Sequence, residues 1–168
     1  PWATELKGSP YDGAIASMDA ALAGFFASSA MKEWREWYVV ICADHGESLG
    51  DHGESRHGIL IYEPVMRVPL LIHGPRQRSP GRIHEWVSLV DVLPAIRDFD
   101  GMPPATCDGV SLRPLFEGGA IPSRPIFMGS QGGMMSFGWA PLFGAIVDGM
   151  KYIQAPLPEC YAISDSSA

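Results

Sequence analysis

Cysteine is scarce. The chain has three, Cys42, Cys107 and Cys160, far apart and without a C-x-x-C pair. That excludes a disulfide framework, a zinc ribbon and a thioredoxin-type motif. Cys42 lies in an apolar run and is expected to pack as a small hydrophobe. Long hydrophobic runs are also missing: no stretch approaches the roughly 18 apolar residues of a membrane-spanning helix, so no membrane span is expected. Basic residues are few. Lys plus Arg number 12 against 19 Asp plus Glu, a formal net charge of −7, and without clustered cations no nucleic-acid footprint is expected. No long-period repeat occurs, which argues against solenoids and propellers. There is no signal peptide and no initiator Met, the chain opening at Pro1. A missing start points to a piece of something longer, and compartment is not legible from either terminus.

What is present supports one ordinary α/β domain. The sequence of 168 residues is 46% hydrophobic, enough for a core. Gly and Pro together make about a fifth of it, so loops are many. Ile15, Met18, Leu22, Phe25 and Phe26 recur at helical spacing, which predicts an amphipathic helix from about Gly13 to Ala30. The run 37–42 (WYVVIC) has no polar alternation and suits a strand buried on both faces of a parallel sheet. Val68–Ile72 is a second strand, with Pro69 tolerable at its start. A helix is expected over Val92–Phe99, with Asp91 as N-cap, Pro94 in its first turn and Asp100-Gly101 ending it. Leu142–Val147 and Met150–Gln154 flank Asp148-Gly149, a two-residue hairpin signal of the type I′ kind.

The chemistry-bearing segment is the loop 44–58. Its fifteen residues hold three His, two Asp, two Glu and four Gly, and Asp-His-Gly-Glu-Ser occurs in it twice, at 44–48 and 51–55. Ligands of open α/β sheets bind beyond the carboxyl ends of strands, which selects Asp44 and His45 over Asp51 and His52. A neighbouring carboxylate and imidazole can converge on one cation if the chain turns sharply, as Gly46 permits. Such donors suit zinc or manganese, and further carboxylates would suit calcium. His57, thirteen residues after Asp44, can return to the same pocket and meet an anion or protonate a leaving oxygen. Glu47 is open between a partner for His45 and an ordinary helix-start carboxylate. The bland alternative is a polar, Gly-rich surface loop with solvated charges. Gly46-Glu47-Ser48-Leu49-Gly50 also fits the G-x-S-x-G elbow of serine esterases. That fold needs an acid and then a late His after the Ser, whereas the last His here is His84 and a second acidic-histidine run follows the Ser.

The segment 44–53 (DHGESLGDHG), with His57-Gly58, Tyr62-Glu63 and Arg67–Ile72, closely resembles the sulfatase family of the alkaline phosphatase superfamily. Tyr11–Phe26, Val87–Pro94, Asp108–Leu115, Lys151–Ile153 and Pro158–Tyr161 resemble further family segments in the family's order. The resemblance implies a partial alkaline-phosphatase-like/sulfatase sandwich with a C-terminal β-hairpin, residues 1–168 forming one partial domain. It implies hydrolysis of sulfate esters with one divalent metal ion, calcium or else zinc or manganese. Asp44 and His45 match the family's metal pair. His57 lies near the place of a substrate-binding Lys and is the candidate catalytic and substrate-binding residue. The implied substrate is a small-molecule or saccharide sulfate ester, and the implied setting is extracytoplasmic.

The chain departs from the family pattern in its nucleophile. Sulfatases make formylglycine within Cys/Ser-x-Pro-x-Arg, and none of the three cysteines has Pro two residues on. Ala120–Arg124 keeps Pro-Ser-Arg with Ala in the nucleophile's place and reads as chance, ahead of a strand at Pro125–Met128. The expected protein is therefore the C-terminal part of a catalytic domain, without the upstream half that bears the nucleophile. It should be inactive in isolation and prone to self-association. The alternatives are a phosphoesterase or phosphoethanolamine transferase of the same superfamily, and a degenerate module that binds metal or a partner without catalysis.

Overall fold

The computed structural model describes residues 9–75 and 81–163. Of these, 9–39 and 73–75 form one compact unit, and 40–72 with 81–163 form another.

The first unit is dominated by α1 (Pro10–Ala27). Its start is set by a capping box rather than by apolar spacing. The Ser9 hydroxyl accepts from the Asp12 N–H at 3.3 Å, the Asp12 carboxylate accepts from the Ser9 N–H at 2.8 Å, and Pro10 enters the first turn. It ends at Ala27, where Ser28 turns extended and both its hydroxyl and its N–H return to the Phe25 carbonyl. The expected helix, Gly13–Ala30, thus sits a turn too late. Its apolar stripe is also uncovered, with Ile15 54%, Met18 62% and Phe25 52% exposed. The packing that exists is aromatic. Phe26 meets Trp34 at 5.1 Å between ring centres and Trp34 meets His73 at 4.8 Å, while His73 Nε2–H donates to the Arg35 carbonyl.

Strand β1 (Val39–Cys42) pairs with β2 (Leu70–His73). Expected to be buried on both faces, β1 is only half-buried, because β2 is its single strand partner among the described residues. Cys42 is exposed rather than packed. Between the two strands lie the 44–58 loop and α2 (Glu63–Met66).

The second unit is built around an antiparallel sheet of β3 (Ile126–Ser130), β4 (Leu142–Val147), β5 (Met150–Gln154) and β6 (Glu159–Ala162), in that order. The Asp148-Gly149 turn pairs Val147 with Met150, and its φ values of 48° and 76° meet the type I′ requirement. One face of β4 and β5 buries Gly144, Ile146, Lys151 and Ile153, while Phe143, Val147 and Tyr152 look outward, the period-2 alternation of a sheet with one covered side. Ile61 is fully buried against Gly144, where an added Cβ would lie 3.1 Å from its Cδ1.

In the same unit, α3 (Val92–Phe99) buries Ala95 and Phe99, and α4 (Arg113–Phe116) buries Leu115. Asp91 stands at the N-cap position of α3, as expected, but in helical geometry and with no capping hydrogen bond from its side chain. A single 3₁₀ turn, Leu89–Asp91, precedes α3, and Ser88 caps that turn with Asp91 as the reciprocal acceptor. The Asp91 carboxylate is fully buried and also takes the Val110 N–H at 2.9 Å and the Arg124 guanidinium. Arg124, from the Pro-Ser-Arg sequence, is therefore a structural counter-charge. Gly109 presses on the Val90 carbonyl, 2.0 Å from where its Cβ would be, which explains Gly within the Asp108–Leu115 segment. The chain is mixed α/β with a C-terminal antiparallel sheet, as expected.

Candidate functional site

The loop leaves β1 at Ala43 and is held down before it turns. The Gly46 N–H donates to the Val65 carbonyl at 2.7 Å, and a Cβ on Gly46 would stand 2.0 Å from the Pro64 carbonyl oxygen. Glycine is needed here for close approach to α2, and Gly46 is not among the positive-φ residues. The positive φ angles fall later, at Leu49 (53°), Gly50 (99°), His52 (52°) and Gly53 (80°).

Asp44 and His45 lie beyond the carboxyl end of β1. The Asp44 Oδ1 accepts from the His45 N–H at 3.0 Å, and its Oδ2 stands 3.7 Å from His45 Nε2. His45 Nδ1 faces the Gly46 carbonyl at 2.9 Å. A carbonyl only accepts, so Nδ1 carries the proton and Nε2 presents its lone pair. The Asp44 side chain is 89% exposed and the His45 side chain 45% exposed.

His57 returns to this pair. Its ring lies 3.9 Å from the His45 ring, centre to centre, with 32° between planes. Its Nδ1 sits 3.2 and 3.3 Å from the two carboxylate oxygens of Glu47. Glu47 is thus the partner of His57, neither a partner of His45 nor a helix-start residue. The segment after His57 is fixed from the sheet side. The Ser130 hydroxyl donates to the Gly58 carbonyl at 2.7 Å, and Gly132, in α5 (Gly132–Phe137), packs so closely that a Cβ would be 1.8 Å from the same oxygen. Beyond it, Ile59, Leu60, Trp139, Leu142 and Pro156 line an apolar groove of about 210 Å³.

The second Asp-His-Gly-Glu-Ser run folds differently. Asp51–Gly53 is a single 3₁₀ turn, and the Ser48 hydroxyl is engaged with the Asp51 carbonyl at 2.8 Å. Among the described residues Ser48 thus has no histidine partner, which counts against the serine-esterase reading. Glu54 is buried and accepts from the Ile59 and Leu60 N–H groups at 2.9 and 3.1 Å. The His52 ring stacks on Tyr62 at 3.6 Å.

Two long-range pairs hold the loop's far end. The Tyr62 hydroxyl donates to the Glu159 carboxylate at 2.7 and 2.9 Å, and Lys151 Nζ donates to Glu63 Oε1 at 2.6 Å. Burial, then the hydrogen bond to Glu159 and its charge, push the Tyr62 hydroxyl up to about 12. Burial, then the charges of Glu63 and Glu159, push Tyr161 up to about 12. Neither pair is visible in the sequence, since their members lie 97 and 88 positions apart.

Asp44 and His45 suit a divalent cation in donor type. Their 3.7 Å separation is near the upper end of that between two donors each about 2.1 Å from one ion. A metal site normally draws on three or four protein groups. Among the described residues no third His, Cys, Asp or Glu completes a cluster. They provide two compatible donors and not a whole site.

The sequence model of the sulfatase family matches residues 8–101. PehA of Trinickia caryophylli, a multifunctional alkaline phosphatase superfamily protein, is 36% identical over 114 residues, covering 65% of this chain and 22% of PehA. Arylsulfatase K of Xenopus laevis is 39% identical over 79 residues, 46% of this chain and 15% of the relative. The structure of a phosphonate monoester hydrolase from Silicibacter pomeroyi superposes with a TM-score of 0.75 at 23% identity, covering 92% of this chain and 34% of that one. This last likeness establishes the fold. The match spans between about a seventh and about a fifth of the length of these curated relatives. With more than half of its residues inside the family match, this chain belongs to the sulfatase family of the alkaline phosphatase superfamily.

Proposed function

We propose that residues 1–168 are the C-terminal part of the catalytic domain of a metal-dependent hydrolase that cleaves sulfate esters of small molecules or saccharides. The family uses a divalent metal, and Asp44 and His45 are the residues of this chain that would hold it. Bound there, the cation would offset negative charge on the ester oxygens. His57 would hold the ester's anionic group by a hydrogen bond or protonate the departing alcohol oxygen. The groove that opens two residues after His57 is a surface for the alcohol's apolar part. The observation that carries this reading is the convergence of His57 on His45 at the end of β1, with rings 3.9 Å apart. The nucleophile lies outside this chain, which contains no Cys/Ser-x-Pro-x-Arg. The isolated chain is therefore inactive.

A second reading, phosphoryl rather than sulfuryl chemistry, is favoured by the match to PehA, which its name describes as multifunctional. Both readings are tested with 4-nitrophenyl sulfate and a 4-nitrophenyl phosphonate monoester, in the presence of calcium, manganese or zinc. The longest reading frame that contains this chain is expected to turn over the sulfate, and Asp44→Ala should lower the rate roughly 100-fold or more. Turnover of the phosphonate alone would replace the sulfate assignment. Turnover of either ester by the 168-residue chain, abolished by Asp44→Ala, would refute the dependence on an outside nucleophile.

A further inference from the structure

At the candidate site, among the described residues, the Glu47–His57 pair is the one that joins a carboxylate to an imidazole outside its own dipeptide, ten positions away. We infer that Glu47 is a positioning residue that fixes the tautomer and orientation of His57. This rests on the proposed role of His57 and adds a device for it.

A carboxylate is an acceptor only, so Nδ1 of His57 must carry a proton to face it at 3.2 and 3.3 Å. In the neutral ring that leaves Nε2 as the atom with the free lone pair. One face of the ring is covered by His45. The edge bearing Nδ1 is tied to Glu47, and the chain after His57 is pinned at the Gly58 carbonyl by Ser130 and Gly132. A ring held on one face, along one edge and through its backbone has little freedom to flip. The opposite edge, with Nε2, is then the one turned to the ligand, and Nε2 must itself carry a proton to donate to an ester oxygen. The titratable group packed against the pair among the described residues is His45, from the same loop, with Asp44 on its far side in sequence. The Glu47 side chain is 22% exposed and that of His57 39% exposed, so the pair is partly sheltered and still within reach of a ligand.

The test is the imidazole ¹⁵N spectrum of the 168-residue chain at a pH where the ring is neutral, with His57 assigned through His57→Gln. The expected result is a protonated Nδ1 and an unprotonated Nε2. Glu47→Ala should shift His57 toward the Nε2–H form that free imidazole prefers. Glu47→Gln, which keeps an accepting oxygen, should restore the original pattern. His45, whose Nδ1 donates to a backbone carbonyl, should stay unchanged in both variants and report that the loop is folded. An Nε2–H tautomer for His57 in the unsubstituted protein overturns the inference without any variant. So does a spectrum that Glu47→Ala leaves unaltered. Neither outcome bears on ester cleavage. Conversely, absent hydrolysis in the longer reading frame with the tautomer intact would sink the functional reading and spare this one.

Discussion

Lys151 has a fully buried side chain on the covered face of β5, paired at 2.6 Å with a Glu63 carboxylate that is 25% exposed. At an effective dielectric near 20 the gross attraction at that separation is about 6 kcal/mol, and desolvation of the ammonium offsets much of it. The net value of the pair is therefore small, while breaking it one-sidedly is costly. Glu63→Ala strands a charge with no route to water and should destabilise the unit by about 3–5 kcal/mol. Lys151→Met leaves Glu63, which can rehydrate, and should cost about 1–2 kcal/mol. In the double variant the stranded charge is gone, so the loss should be smaller than for Glu63→Ala alone. Urea unfolding, together with amide hydrogen exchange in β5, measures all four corners of the cycle. The reasoning is refuted if Glu63→Ala costs under about 1 kcal/mol, or if the two single losses simply add.

Gly46→Ala should destabilise by about 1–3 kcal/mol or more, because its Cβ would overlap the Pro64 carbonyl. The Gly46 amide should exchange faster as its bond to Val65 is lost, and unchanged exchange would contradict the close approach. Tyr62 and Tyr161, both pushed up to about 12, should ionise late in a tyrosinate absorbance titration. The unfolded chain deprotonates them near 10. The folded state therefore holds more protons between about 10 and 12, so its extra stability is complete below about 10 and disappears as pH climbs through about 12. Ordinary phenol ionisation in the still-folded protein would count against the Glu159 and Glu63 contacts.

Legibility from sequence tracked the range of the interaction. The Asp148-Gly149 hairpin and the Val92–Phe99 helix were readable because turn and helix chemistry is contained within a few neighbouring residues. Asp91 stands at the N-cap position of that helix, but its carboxylate serves with Ser88 to cap a preceding 3₁₀ turn that no apolar period announces. Burial was less readable. The stripe of α1 and the apolar run of β1 ask for a covering surface that the described residues do not supply. At the candidate site, donor type and the strand-end rule brought out Asp44, His45 and His57, and the structure brings the two imidazoles together. The partner of Glu47 could not be chosen from sequence, because loop curvature decides which imidazole it meets. Tyr62–Glu159 and Lys151–Glu63 depend on tertiary contacts with no local trace.

The duplicated pentapeptide offers no redundancy. In the first copy Asp44 reaches solvent and Glu47 meets an imidazole; in the second, Glu54 is sunk beneath the surface as a rivet for two peptide groups and His52 is shelved on a phenol ring. Loss of one copy cannot be compensated by its twin, since identical letters occupy unlike terrain. The two copies are separate devices that share a spelling, the first at the site proposed for the ester and the second keeping the strand-to-helix passage in shape.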